Sequence, residues 1–303
     1  MRAAVFDRFG PPDVLYIADR PDPKPAPGEI RVRVRAAGVQ PFDVGVRRGE
    51  MTRLPVSFPQ TIGQEYSGVV DLLGEGTGDA GLAVGDPVLG STMLNGNAEL
   101  LCVPVLNVVP KPDRLDFPTA AALVAASQTA SGALRELGVG EGDVLLVHAA
   151  AGSVGTVAVQ LARLAGATVI GTASPSNHGY LRELGATPIT YGESLVDAVH
   201  ALTVKPTVAL DAAGGEAIAQ SVALGITPDR IGTIVDDAAA AKWGTRVVRA
   251  GRDPRRLSEV VNLAARGAVT MPVRAYPLSE VAAAHAAVES RHGRGKVVLI
   301  VEP

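Results

Sequence analysis

The sequence predicts an α/β fold joined to a β-rich part: a small β-barrel first, then a doubly wound parallel sheet. Three observations predict it. The first third holds short strands punctuated by glycine and proline, as in "IRVRVRA", "YSGVVDLLGEG" and "AELLCVPV". After Leu115 strands and helices alternate, the mark of βαβ units. The strands of that second part are almost continuously apolar, which fits burial on both faces of a parallel sheet.

In "IRVRVRA", Ile30, Val32, Val34 and Ala36 alternate with Arg31, Arg33 and Arg35. A period of two puts the apolar residues on one face and the arginines in water. "PAPGE" and "AAGVQP" bound this strand, and "VGDPVLG" supplies a turn at Gly85, Asp86 and Pro87. The stretch "AAGVQPFDVGVRRGEM" (36–51) reads as a loop. It has glycines, Asp43, Arg47 and Arg48, but no Cys, His, Ser, Lys or Tyr to attack a substrate, hold a metal or pass a proton. "FPTAAALVAASQTASGALREL" is a long alanine-rich helix with proline near its start. Then follow the strand "DVLLVHAA", the helix "GTVAVQLARLAG", the strand "ATVIGTAS" and the helix "NHGYLRELG". "TPITYG" precedes a helix at "LVDAVHAL", and "TVALDAAGG" and "RIGTIVDD" are two more strands. From about Met271 the pattern becomes strand and helix in "VRAYPLSEVAAAHAAVES", then a last strand, "GKVVLIV".

Whole-chain properties remove several classes of function. The 303 residues are 47% hydrophobic and 19% charged, enough for two cores. A net charge of -3 offers no basic field for nucleic acid or an acidic membrane. No apolar run reaches about 18 residues, the span of a bilayer. "MRAAVFDRFGPPD" carries charge where a signal peptide needs an apolar core, so a cytoplasmic protein is expected. One cysteine, Cys102, rules out an internal disulfide or a multi-cysteine zinc site, and its apolar neighbours make it a buried strand thiol.

The strongest chemical signal is "VLLVHAAAGSVGTVAVQLARLAGA". A strand ends at His148, the chain turns through Ala150, Gly152 and Gly155, and a helix starts. That is the context a dinucleotide-binding, Rossmann-type fingerprint requires. Gly152 would let backbone approach a pyrophosphate, Gly155 would let helix and strand pack closely, and the first helical N–H groups of Ser153 and Val154 would face the phosphates. Ala150 stands where the general pattern has its first glycine. An NAD site carries an acid about 20 residues on. Here the next strand ends in "GTASPSNHG", with Thr172, Ser174, Ser176, Asn177 and His178 and no acid. Hydroxyl, amide and imidazole groups donate to a 2′-phosphate that a carboxylate would repel, so NADP(H) is expected.

A β-rich part, a nucleotide-binding part and a short returning segment, in that order, resemble the medium-chain dehydrogenase/reductase superfamily. Within it the chain is similar to the zinc-independent quinone oxidoreductases (zeta-crystallin-like). The resemblance is carried by "PAPGEIRVRVRAAGV", "IGQEYSGVV", "VGDPVLG", "HAAAGSVGTVAVQLARLAGATVIGTAS", "YLRELGA" and "GKVVLIV". It implies a GroES-like catalytic domain at 1–117, a Rossmann NADP-binding domain at 118–267, and a segment at 268–303 that returns to the catalytic domain. It also implies NADPH, a cleft between the domains and a homodimer.

Where the zinc branch has Cys and His, this chain has Gln40 and Gln64. Without thiolate or imidazole a tetrahedral zinc site is not expected. The zinc-free pattern Gly-x-Asn, Asp, Arg-x-Gly-x-Tyr is matched by Gly38, Asp43, Arg47 and Gly49, with Gln40 for Asn and Met51 for the tyrosine suggested as proton donor in related enoyl reductases. The resemblance further implies Gln40 and Thr129 beside the nicotinamide as positioning groups, and Ser174, Asn177, His178 and Tyr191 near the 2′-phosphate. Ala213 and Val235, after the two later strands, complete the expected cofactor-binding set. Asp43 and Arg47 are read as a structural pair, Glu65 as a hydrogen-bonded group rather than a base, and Lys296 as a solvated strand-start residue. The implied activity is NADPH-dependent reduction of a quinone or an α,β-unsaturated carbonyl, a small hydrophobic acceptor. Reduction of an enoyl thioester or natural-product intermediate, and a non-catalytic NADPH sensor, stay open.

Overall fold

The computed structural model describes residues 1–291 and 293–302. In chain order it runs β1 (Arg2–Phe6), β2 (Tyr16–Asp19), β3 (Glu29–Val39), α1 (Pro41–Arg48), β4 (Gln60–Thr61) and β5 (Glu65–Leu73). Next come β6 (Pro87–Ser91), β7 (Leu100–Pro104), β8 (Val108–Pro110) and α2 (Phe117–Glu136). Then follow β9 (Val144–His148), α3 (Ser153–Leu164), β10 (Thr168–Thr172), α4 (His178–Glu183), β11 (Thr187–Ile189) and α5 (Leu195–His200). After these are β12 (Val208–Asp211), α6 (Ala217–Ala223), β13 (Ile231–Thr233), α7 (Asp237–Trp243) and β14 (Arg246–Val247). The chain closes with α8 (Pro254–Ala265), β15 (Val273–Pro277), α9 (Val281–Glu289) and β16 (Lys296–Ile300). Among the described residues no helix is long and apolar enough to cross a membrane.

The chain forms two compact units. The first comprises Met1–Ala125, Asp253–Gly267 and Met271–Pro303, and the second Ala126–Arg252 with Ala268–Thr270. Helix α8 thus groups with the first unit, although it follows the strand–helix alternation in sequence.

The first unit is built on β3. Ile30, Val32, Val34 and Ala36 are buried, as the alternation predicts. The arginines are not simply in water: Arg31 and Arg33 are partly covered, and each meets a different oxygen of Asp71 at 2.6 Å. Along one edge β3 pairs antiparallel with β5, with register shifts at Arg31/Val32 and Val34/Ala36. Such bulges bend a strand and increase its twist. β3 also takes β7 at its start and β16 at its end, with Val298 opposite Gly38 and Leu299 opposite Ala37. The last strand of the chain therefore completes the sheet of the first, and β15 pairs parallel to β16 outside it. Phe6, Ile30, Ile62 and Leu299 lie in one buried apolar cluster here. Cys102 sits on β7, half-buried, and burial followed by the charge of Glu29 pushes its thiol up to about 11.

The expected loop at 36–51 is a strand end and a helix. Pro41 opens α1 at a position where a missing N–H costs nothing, and Asp43 Oδ2 accepts from the Gln40 N–H at 3.0 Å. Arg47 and Arg48 fall in the last turn, and Gly49 ends the helix at φ 77°. These signals were in the sequence, hidden by the short length and the glycines.

The second unit is a six-stranded parallel sheet in the order β11-β10-β9-β12-β13-β14. Its strands are buried, and Leu146, Ile170, Ala209 and Ile231 share one apolar cluster. The order steps outward from β9 in both directions, so the chain reverses sense there. In open α/β sheets such a switch point opens a crevice at the carboxyl ends of the strands.

Candidate functional site

The β9–α3 turn lies at that switch point. A Cβ built on Gly155 would stand 2.4 Å from the Ala149 carbonyl oxygen and 2.6 Å from Ala150 Cα. Only glycine lets α3 pack this closely against the strand end. Gly152 is the N-cap of α3, and no side chain caps it. Among the described residues the first-turn N–H groups of Ser153, Val154 and Gly155 meet no side-chain acceptor, so they are a fit for an anion. Ala149 holds the turn at φ 59°. Ala150, in the place of the usual first glycine, is buried against Gly171, whose added Cβ would come within 2.7 Å of Ala150 Cβ. The extra methyl is accommodated because the facing position on β10 has none.

Thr172 is buried, and its Oγ1 accepts from the Ala149 N–H at 3.1 Å. Its hydroxyl braces the turn from below. Beyond it Ser174 Oγ lies 3.0 Å from Ser176 Oγ and accepts from Asn177 Nδ2 at 3.2 Å. His178 Nε2 is 3.3 Å from the Ala173 carbonyl oxygen and 3.4 Å from Thr190 Oγ1. Tyr191 follows β11 and is 57% exposed. The residues Ser174 to His178 thus form one hydroxyl–amide–imidazole cluster at the end of β10, with no acid in it.

Ala213 and Val235 follow β12 and β13, and both are exposed. A residue that the sequence reading passed over holds them. Buried Asp211 accepts from the Ala213 and Gly214 N–H groups, each at 2.8 Å, and from Thr233 Oγ1 at 2.7 Å. Thr233 Oγ1 in turn accepts from the Val235 N–H at 3.1 Å. One carboxylate therefore fixes two neighbouring loops. The "LDAAGG" after β12 was its signal: an acid two residues ahead of small residues makes such a turn. His148, at the end of β9, is buried with Nε2 2.9 Å from Ser221 Oγ. Burial holds its pKa down to about 4, against the opposing pull of Asp211. Thr129 is half-buried in α2, next to buried Gln128.

In the first unit Gln40 and Gln64 come together: Gln40 Nε2 donates to Gln64 Oε1 at 2.7 Å, and Gln64 Nε2 lies 3.6 Å from Met93 Sδ. Two neutral amides bonded to each other stand where the zinc branch has a thiolate and an imidazole. Met51 folds over α1, its Cε only 2.6 Å from where a Cβ on Gly45 would be. Fully buried Arg47 pairs with Glu289 of α9. Lys296 is the clearest correction. It is buried rather than solvated, and it pairs with buried Glu65. Glu65 Oε1 also accepts from the Ala125 N–H of α2 at 2.6 Å. A Cβ on Gly38 would stand 2.4 Å from Glu65 Oε2, so that glycine makes room for the pair.

Residues 26–113 match the alcohol dehydrogenase GroES-like domain family, and residues 184–299 the zinc-binding dehydrogenase family. The mouse (Mus musculus) synaptic vesicle membrane protein VAT-1 homolog is 38% identical over 222 residues, 71% of this chain and 54% of that protein. The match thus spans about half the length of such curated relatives. A quinone oxidoreductase structure from Coxiella burnetii superposes with a TM-score of 0.88 at 31% identity, covering 100% of this chain and 99% of that one. The Escherichia coli quinone oxidoreductase, solved in complex with NADPH, superposes with a TM-score of 0.87 at 26% identity, covering 99% and 100%. Through that full-length match and the turn, strand order and residues above, the chain belongs to the zinc-independent, zeta-crystallin-like quinone oxidoreductase family of the medium-chain dehydrogenase/reductase superfamily.

Proposed function

We propose that the chain is an NADPH-dependent oxidoreductase that reduces a quinone or an α,β-unsaturated carbonyl without zinc. The carrying observation is the uncapped α3 N-terminus behind Gly152, set at the switch point of the sheet beside an acid-free cluster at the end of β10. In this reading Gly152, Ser153, Val154 and Gly155 hold the pyrophosphate, with Ala150 and Thr172 supporting the turn. Ser174, Asn177, His178 and Tyr191 receive the 2′-phosphate. Ala213 and Val235 flank the nicotinamide half, and Thr129 and Gln40 position the ring. The NADPH in the Escherichia coli structure supports the choice of dinucleotide.

Bound NADPH would supply the hydride. The chain then has to exclude water, align the acceptor and meet the charge that builds on its oxygen. Amide side chains suffice for that, and a reduced quinone takes its protons from solvent. The reading extends to a cytoplasmic homodimer and a hydrophobic acceptor.

The test is NADPH consumption against a panel of quinones, enones and enoyl thioesters, with NADH as control. Turnover of a quinone or enone with NADPH preferred supports the reading. NADPH binding with no acceptor reduced would favour the sensor. Ser174→Asp places a carboxylate in the cluster and is expected to weaken NADPH by about tenfold or more while sparing NADH. Unchanged selectivity would remove these residues from the 2′-phosphate site.

A further inference from the structure

In the sequence Gln64 marks only a missing zinc ligand. Its surroundings say more. The residue is 8% exposed, directly ahead of β5. A thioether sulfur carries lone pairs and no proton, so it only accepts. The Gln64 atom facing Met93 Sδ must therefore be Nε2, and its Oε1 must face Gln40. That leaves Gln40 as donor, which fixes the direction of the whole chain of amides: Gln40 to Gln64 to Met93. A buried amide N–H is thus given to a weak acceptor, at 3.6 Å. Met93 is 59% exposed, and methionine is unbranched and flexible, so it yields its place easily. Donation from Gln40 into Oε1 also polarises the amide and strengthens its N–H as a donor.

We propose that Gln64 Nε2–H is the hydrogen-bond donor to the carbonyl oxygen of the substrate, with Met93 holding the place of that oxygen until the substrate arrives. The inference rests on the reading of the chain as a carbonyl-acceptor reductase, and it makes Gln64 a catalytic residue and Gln40 its positioning residue. The acceptor gains a hydride and then one proton from water, which ends on oxygen in a hydroquinone and on the α-carbon in a reduced enone, while NADPH becomes NADP+. Gln64 meets the negative charge between those two events.

Gln64→Glu isolates the claim. It keeps an oxygen for Gln40 to donate to and replaces only the N–H. Reduction of 1,4-naphthoquinone and 2-cyclohexenone should lose about 100-fold in kcat/KM near neutral pH, the usual cost of one such donor. NADPH affinity, read by cofactor fluorescence, should hold. As the pH falls the carboxyl regains a proton and with it a donor, so the variant's activity should rise by up to about tenfold per pH unit, a rise the parent lacks. Gln64→Met, without donor or charge, should be low at every pH. Met93→Leu removes the competing acceptor and should lower KM for the acceptor. Full activity of Gln64→Glu at neutral pH, or equal impairment at every pH, would overturn the assignment and leave the reductase reading standing. A parent protein that binds no NADPH or reduces neither acceptor would overturn both.

Discussion

Lys296→Met removes the counter-charge of a carboxylate that water does not reach. Glu65 and Lys296 are both buried, and among the described residues Glu65 is left with the Ala125 N–H at its other oxygen. Breaking a buried pair from one side costs about 3–5 kcal/mol. A loss of about 3–5 kcal/mol is therefore expected. Glu65→Gln keeps an oxygen for Ala125 while removing the charge, so Glu65→Gln combined with Lys296→Met should cost less than Lys296→Met alone. The assay is urea denaturation followed by far-UV circular dichroism, with hydrogen exchange on the β3, β5 and β16 peptides. The one tryptophan, Trp243, belongs to the second unit and reports on the wrong half. A loss below about 1 kcal/mol, or a double variant as unstable as the sum of the singles, would refute the reasoning.

Three further outcomes follow from the geometry. Gly155→Ala drives a methyl into backbone atoms at 2.4 and 2.6 Å, so it should cost about 1–3 kcal/mol and most of the NADPH affinity; Trp243 fluorescence melts and cofactor titration check both, and parental values would deny the close packing. His148 and His285 are held neutral by burial, down to about 4 and about 3, with the charge of Arg47 adding to the second. Since the unfolded chain takes up these protons first, their contribution is complete above about pH 6.5 and is lost as the pH falls towards 4, roughly 2 kcal/mol from each histidine between pH 7 and 5. Equal urea midpoints at those two pH values would contradict it. Met51→Tyr adds a phenol beside Gly45 and should leave quinone reduction within about threefold, because a quinone product draws its protons from water; a large gain in kcat would show that the parent lacks an internal acid it needs.

Patterns that repeat were legible in the sequence. The apolar face of the β3 alternation, the β9–α3 turn and the strand–helix rhythm each involve neighbours in the chain, and each has its expected form here. The α1 helix was legible too, from Pro41, Asp43, Arg47 and Gly49, but glycine content argued for a loop. Partnerships across the fold were not legible. Nothing near Lys296 in sequence announces Glu65, and nothing near Arg47 announces Glu289, 242 residues away. The Gln40–Gln64–Met93 chain has the same character. The sequence shows which ligands are absent, but only the fold shows what took over their space. Asp211 lies between these cases. Its turn was local, yet its hold on Thr233 required two strands to be side by side.

The first unit draws on three separate stretches of chain, and its sheet is finished by β16. During synthesis from the amino end, β3 and Glu65 emerge long before β16 and Lys296 do. Without β16, the end of β3 from Ala36 to Val39 lacks its edge partner and Glu65 lacks its counter-charge, while the start of β3 keeps β7, so the shortfall falls at the end of the strand that leads into α1.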